Sequence, residues 1–200
     1  MKKQVIFVHG GDIVHSYKEY ISFLKEYKID KKKLNRKKWH AFLDKNLGKN
    51  YEVIKPQMPN AFNARYLEWK IWFGKFIPLT QNNVTLIGGS LGGTFLIKYL
   101  LEEGFPKKIK GLFFVASPFG DRKKYYFADF HFNLKRLSRL NSKCKNIFFY
   151  QSKDDPIVPY SDFESFKKYI PNANFIELKN RGHFFQEKFP ELIRDIKALK

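Results

Sequence analysis

The sequence predicts an α/β fold, a three-layer sandwich in which a mostly parallel six-stranded sheet carries helices on both faces. Short apolar-rich runs recur at residues 4–8, 51–54, from 84, 111–116, 146–150 and 175–178, as strands buried on both faces do. Between them lie segments whose apolar residues repeat at helical spacing. The run from Val84 also passes through Gly-x-Ser-x-Gly straight into an amphipathic helix, VTLIGGSLGGTFLIKYLLEEG. Strands that alternate with helices require right-handed crossovers, and these cover both faces of a parallel sheet.

Taken in order, the first strand ends in His9-Gly10-Gly11-Asp12. Ser16 with Glu19 forms a capping-box pattern, so a helix opens there with Tyr17, Tyr20, Ile21 and Leu24 on one face. A second helix is expected near residues 34–47, with Trp39, Phe42, Leu43 and Leu47 on one face and Gly48 as its stop. Two helices exceed what a minimal crossover needs, so one is expected to lean over the mouth of the site. After the strand at 51–54, Pro56-Gln57-Met58-Pro59-Asn60 makes a rigid loop, and residues 63–76 form a helix rich in Leu67, Trp69, Ile71, Trp72 and Phe76. The helix after Ser90 carries Phe95, Leu96, Tyr99 and Leu100, and Gly104 stands where a terminating glycine is expected.

The strand at 111–116 leads into Ser117-Pro118-Phe119-Gly120. Residues 121–145 hold Tyr125, Tyr126, Phe127, Phe130 and Phe132, which suit either a small lid or packing beneath a loop. The strand at 146–150 runs into Ser152-Lys153-Asp154-Asp155-Pro156-Ile157-Val158-Pro159. Ser161 with Glu164 repeats the capping pattern ahead of Phe163, Phe166 and Ile170. Arg181-Gly182-His183-Phe184 follows the last strand, and Leu192, Ile193, Ile196 and Leu199 form the docking face of the final helix.

Ser90 is the candidate nucleophile. A serine that attacks a carbonyl must stand clear of its own backbone, and a sharp strand-to-helix turn projects its hydroxyl. Gly88 and Gly92 flank it at the two positions where a Cβ would collide, while Gly93 and Thr94 keep the first helical turn thin. The same turn also suits a site that only binds an anion on helix amides. A tetrahedral oxyanion needs two backbone N–H donors, for which Leu91 and Gly11 are the candidates, with Gly10 or Asp12 in reserve. An acid at a strand end, in a turn stiffened by two prolines, suits the orientation of an imidazole. Asp155 is the first choice and Asp154 the second. His183, on a strand-end loop beside a glycine, is the candidate base. His15, His40 and His131 read as surface or packing residues. A His9, Asp12, His15 metal cluster lacks a completed coordination shell, so no metal or other cofactor is expected. Phe119, Tyr126 and Phe184 are candidates for the substrate pocket.

With 200 residues, 44% of them hydrophobic, the chain reads as a single domain over 1–200 with a possible small lid within 121–145. The apolar run before His9 is too short for a signal sequence or a membrane span, so a soluble, cytoplasmic protein is expected. Cys144 has no partner for a disulfide and no metal-ligand cluster around it. The net charge of +19 is mostly scattered lysine, with clusters at Lys31-Lys32-Lys33, Arg36-Lys37-Lys38 and Arg122-Lys123-Lys124. No arginine fork or aromatic-basic stacking motif accompanies it, so a solvated lysine-rich surface is expected rather than specific nucleic-acid binding, with the attraction of acidic substrates left open. Oligomeric state is not encoded in any motif.

The chain order Ser90, Asp155, His183 is that of an α/β-hydrolase triad. The sequence resembles the compact serine hydrolases of the retinoblastoma-binding protein 9 type, over nearly the whole chain, through VIFVHGG, IGGSLGG, SKDDPIVP and RGHF. The resemblance implies Ser90 as nucleophile, His183 as base and then acid, Asp155 as its orienter, and the Gly11 and Leu91 amides as the oxyanion hole. It departs from the family at Gly89, where relatives often carry a bulkier residue, and in the additional helix near 34–47. The expected activity is hydrolysis of a small-molecule or peptide ester, thioester or amide through an acyl-enzyme, with activity rising as pH is raised because the base must be neutral. The alternative is a binding module on a hydrolase scaffold that uses its lysine-rich surface.

Overall fold

The structure is a computed structural model and describes residues 1–120 and 127–199. Six parallel strands form one sheet in the order β2-β1-β3-β4-β5-β6. They are β1 (Lys3–Val8), β2 (Tyr51–Ile54), β3 (Val84–Gly89), β4 (Ile109–Val115), β5 (Ile147–Ser152) and β6 (Asn174–Leu178). The order in which successive strands are added reverses at β1, which lies between β2 and β3. A crevice therefore opens beyond the carboxyl ends of β1 and β3, where ligands bind in such sheets.

Side chains alternate along each strand and divide the core in two. Ile6, Val8, Leu86, Leu112, Phe114 and Phe149 face one layer, where α4 (Tyr66–Gly74), α5 (Leu91–Glu102) and α7 (Tyr160–Tyr169) supply Trp69, Phe73, Phe95 and Phe166. Val5, Phe7, Ile87, Phe113, Val115 and Tyr150 face the other layer, against α3 (Leu43–Leu47) and α8 (Pro190–Ala198) with Leu43, Leu47, Leu192 and Ile196. The three layers are those expected. Gly104 ends α5 as anticipated: its φ is +77°, and its N–H donates to the Tyr99 carbonyl.

Several elements differ from the sequence reading. The helix expected at 34–47 is three pieces: α2 (Lys31–Leu34), a 3-10 turn over Trp39–Phe42, and α3. α1 (Tyr17–Glu26) is capped by Ser16, whose Oγ accepts from the Glu19 N–H at 3.2 Å, yet none of its residues is buried. α7 begins one residue before Ser161, with Pro159 preceding it, so the second capping box is not the one used. Residues 121–126, including Tyr126 and the Arg122-Lys123-Lys124 cluster, lie outside the described residues. From Phe127 onward the aromatics pack inward: Phe130 is fully buried, its ring 5.4 Å from Trp69 and 5.9 Å from Tyr66. Cys144 is buried, and burial pushes its thiol pKa up.

Candidate active site

Ser90 sits between β3 and α5 with φ +51° and ψ −127°, a region that L residues rarely occupy. Backbone packing enforces this turn. A Cβ on Gly88 would stand 2.5 Å from the Gly93 Cα, and one on Gly92 would stand 2.5 Å from the His9 carbonyl oxygen and closer still to that of Val8. α5 therefore starts in direct contact with the end of β1. The Ser90 N–H donates to the Val115 carbonyl at 2.8 Å, which ties the turn to β4 as well.

The β1 loop touches the same serine, because a Cβ on Gly10 would lie 2.9 Å from the Ser90 Cβ. This loop is clamped at both ends. The Asp12 N–H donates to the Ala61 carbonyl at 2.7 Å, and the Ala64 N–H donates back to the Asp12 carbonyl at 2.9 Å. The Asp12 amide is thus already committed, while among the described residues the Gly11 N–H has no backbone partner. His9 has a role that the sequence reading did not assign. The Met58 N–H donates to His9 Nε2 at 2.8 Å, so the proton is on Nδ1, which donates to the Gly10 carbonyl at 2.6 Å. In a trans peptide the carbonyl and the next N–H point opposite ways. Holding the Gly10 oxygen therefore fixes the direction of the Gly11 N–H. Both ring nitrogens of His9 are engaged, which leaves none for a metal. A histidine directly ahead of Gly-Gly is the only sequence signal of this arrangement.

Of the two acids after β5, Asp155 meets the imidazole. His183 Nδ1 lies 2.9 Å from Asp155 Oδ2 and 3.1 Å from Oδ1. The Asp155 side chain is fully buried and that of His183 is 8% exposed, so water does not compete for this bond. The carboxylate is held from behind by the Ile157 and Val158 N–H groups on Oδ1, at 2.8 and 3.0 Å, and by Gln151 Nε2 on Oδ2 at 3.0 Å. Asp154 points elsewhere. It accepts from the Ser152 hydroxyl at 2.5 Å and from the Arg181 and Gly182 N–H groups at 3.3 and 3.2 Å, and these bonds hold its carboxyl below the usual carboxylate range. The neighbouring acids divide the work, one on the ring and one on the loop that carries it. That loop is tightly wound, with positive φ at Asn180, Gly182 and Phe184.

Ser90 and His183 border one cleft of about 690 Å³, whose wall includes Phe7, Phe23, Trp39, Phe62 and Phe184. A second cleft of about 220 Å³ meets it at Ser90, Gly11, Asp12 and Ile157, and reaches Leu91 and Phe127. Leu91 opens α5, where a first-turn amide has no intrahelical acceptor. Of the residues suggested for a substrate pocket, Phe184 borders the larger cleft, whereas Phe119 is buried in the core, edge-on to Phe166 at 4.9 Å and Phe132 at 6.2 Å, and borders neither cleft. Its strand-end position was right, but the chain turns it inward through the bond from its N–H to the buried Asp162 carboxylate at 3.0 Å. The polar wall of the larger cleft adds Asp12, Lys38 and His40. Burial raises the Asp12 pKa, with Lys38 and His183 opposing it. His40, stacked on Phe7 at 4.9 Å, is lowered to about 4, chiefly by burial and then by Lys38, His9 and Lys55.

A six-stranded parallel sheet in this order, with a strained serine at the β3–α5 turn on the same cleft as a histidine from the β6 loop, has the architecture of the α/β-hydrolase class. Solved structures with this fold cover the chain almost entirely. The ydeN gene product of B. subtilis matches with a TM-score of 0.75 at 20% identity, over 99% of this chain and 98% of that one. A 2-hydroxy-6-oxo-6-phenylhexa-2,4-dienoate hydrolase from Rhodococcus matches with a TM-score of 0.67 at 13% identity, over 98% of this chain and 91% of that one. The chain belongs to the serine hydrolase family, whose model matches residues 32–191. The chain is similar to the serine hydrolase RBBP9 of Rattus norvegicus, 23% identical over 169 residues that span 80% of this chain and 86% of that protein. It is also similar to the putative hydrolase YdeN of Bacillus subtilis, 24% identical over 166 residues, 75% of this chain and 80% of that protein. The protein is a hydrolase. Among the described residues no helix is long and apolar enough to cross a membrane.

Proposed function

We propose that the protein cleaves a carboxylic ester, thioester or amide by two-step acyl transfer through Ser90, His183 and Asp155. The observation that carries this reading is the buried Asp155–His183 hydrogen bond on a cleft shared with a serine held at positive φ. With Nδ1–H engaged by Asp155, the neutral imidazole keeps a lone pair on Nε2. That nitrogen takes the Ser90 proton as Oγ forms a bond to the substrate carbonyl carbon. The Gly11 and Leu91 N–H groups stabilise the oxyanion, which is worth on the order of 100-fold or more per donor. The intermediate collapses, the alcohol, thiol or amine leaves with the proton from His183, and an acyl-Ser90 ester remains. Water then gives a proton to His183 and attacks the acyl carbon, and the carboxylic acid departs as Ser90 Oγ regains its proton.

The test is intact-mass analysis after treatment with a fluorophosphonate, which phosphonylates activated serines. One adduct on the wild type, mapped to Ser90 and absent from a folded Ser90→Ala variant, is expected. An adduct that persists in Ser90→Ala, or an unlabelled but folded wild type, would overturn the assignment. Asp155→Asn is expected to lower kcat by about 10³- to 10⁴-fold, because an amide at this position favours the wrong imidazole tautomer.

A further inference from the structure

Lys38 is the one lysine or arginine that borders the larger cleft among the described residues. Its backbone is anchored through the next residue. Trp39, the next residue, is buried, and its N–H donates to the Gln186 carbonyl at 2.8 Å, which joins this segment to the loop that carries His183. The Lys38 ammonium stands 4.4 Å from the centre of the Phe185 ring, two residues beyond His183. Among the described residues it makes no ion pair within 4 Å. Asp12 acts on it from a distance, but Asp12 borders both clefts and so sits at the Ser90 junction, whereas Lys38 borders only the larger one. Lys38 is exposed to solvent, yet partial desolvation and the nearby Arg36 charge lower its pKa, with Asp12 opposing them.

The two clefts are not equivalent in the reaction. His183 must hand its proton to the departing atom, and it borders the larger cleft only. The leaving half therefore occupies the larger cleft, and the acyl half falls to the smaller one. We propose, resting on the Ser90 reading, that Lys38 forms an anion subsite for the leaving group, so that the substrate joins a compact acyl group to an apolar or aromatic alcohol or amine bearing a carboxylate. The aromatic wall takes the body of that group. The ammonium, with three donors and no acceptor to satisfy first, takes its charge.

The experiment compares kcat/KM for para-acetoxybenzoate and para-acetoxybenzamide, which share an acyl group and nearly share a shape but differ in charge. The wild type is expected to favour the benzoate, and Lys38→Met to reduce that preference by about tenfold or more, as loss of a charge-assisted hydrogen bond does. Lys38→Arg should retain it. Lys37→Met, which alters the general positive field by the same amount, should leave the ratio unchanged. An unmoved ratio in Lys38→Met, or an equal shift in Lys37→Met, overturns the inference. Fluorophosphonate labelling of the same preparations separates the two levels. Labelled Ser90 with an unmoved ratio removes the subsite and leaves the serine hydrolysis intact, whereas an unlabelled, inactive wild type removes both.

Discussion

Replacing Gly92 by alanine tests whether the contact between β1 and α5 sets the geometry of the site. Gly92 lies in the first turn of α5, and the atoms its Cβ would strike are the Val8 and His9 carbonyl oxygens at the end of β1. Ordinary contact starts near 3.4 Å and the His9 oxygen would be at 2.5 Å, so strand and helix must separate by roughly 1 Å. Neither can yield by rotating a side chain. Overpacking of this kind costs about 1–3 kcal/mol, offset by about 1 kcal/mol from the better helix propensity of alanine. At about 2–4 °C per kcal/mol for a domain of this size, Tm should fall by no more than roughly 8 °C. The larger effect is on turnover. The proposed oxyanion donors lie on opposite sides of this contact, Gly11 on the loop that follows β1 and Leu91 on α5, and a misplacement of about 1 Å lowers kcat by on the order of 100-fold. Initial rates on an activated ester and thermal melts by circular dichroism measure both. Gly74→Ala is the control, since a Cβ there meets nothing within 4 Å and should leave both readouts unchanged or slightly improved. A Gly92→Ala variant with unaltered kcat would refute the claim that this contact spaces the donors, whatever happened to Tm.

Asp154→Ala should lower kcat by about tenfold, far less than Asp155→Asn, because it frees the Arg181 and Gly182 amides and lets the His183 loop move without unpairing the ring. Equal losses in the two variants would contradict this division of roles. His40 makes stability depend on pH. Its folded pKa of about 4 lies below the ordinary 6.5, so between those values the unfolded chain binds a proton that the folded one does not. Stability is therefore intact above pH 6.5 and falls as pH drops toward 4, by up to about 3 kcal/mol for this group. Urea midpoints at pH 7 and pH 4.5 should differ less in His40→Gln than in the wild type, and parallel losses would remove His40 as the cause.

The sequence by itself determined the sheet, the order of its strands along the chain and the position of the Ser90 turn. Each of these is local. Apolar runs specify strands buried on two faces, and Gly-x-Ser-x-Gly specifies a turn because the colliding atoms belong to the same short stretch of chain or to the strand beside it. Long-range contacts decided the rest. Asp154 and Asp155 are adjacent and chemically identical, and only the turn at Pro156, with amides from Ile157 and Val158, selects the one that faces His183. Phe119 stands at a strand end, as a pocket residue would, yet a buried Asp162 from α7 turns it into the core. The apolar face of α1 promised burial, but none of its residues is buried: Phe23 meets Phe62, itself half exposed, at 6.2 Å on the wall of the larger cleft, so the helix stays on the surface. His9 and Lys38 were legible only as a loop residue and one lysine among many. Their partners are the Met58 amide and the Phe185 ring, distant in sequence, and a periodicity cannot report a contact that exists only after the chain has closed on itself.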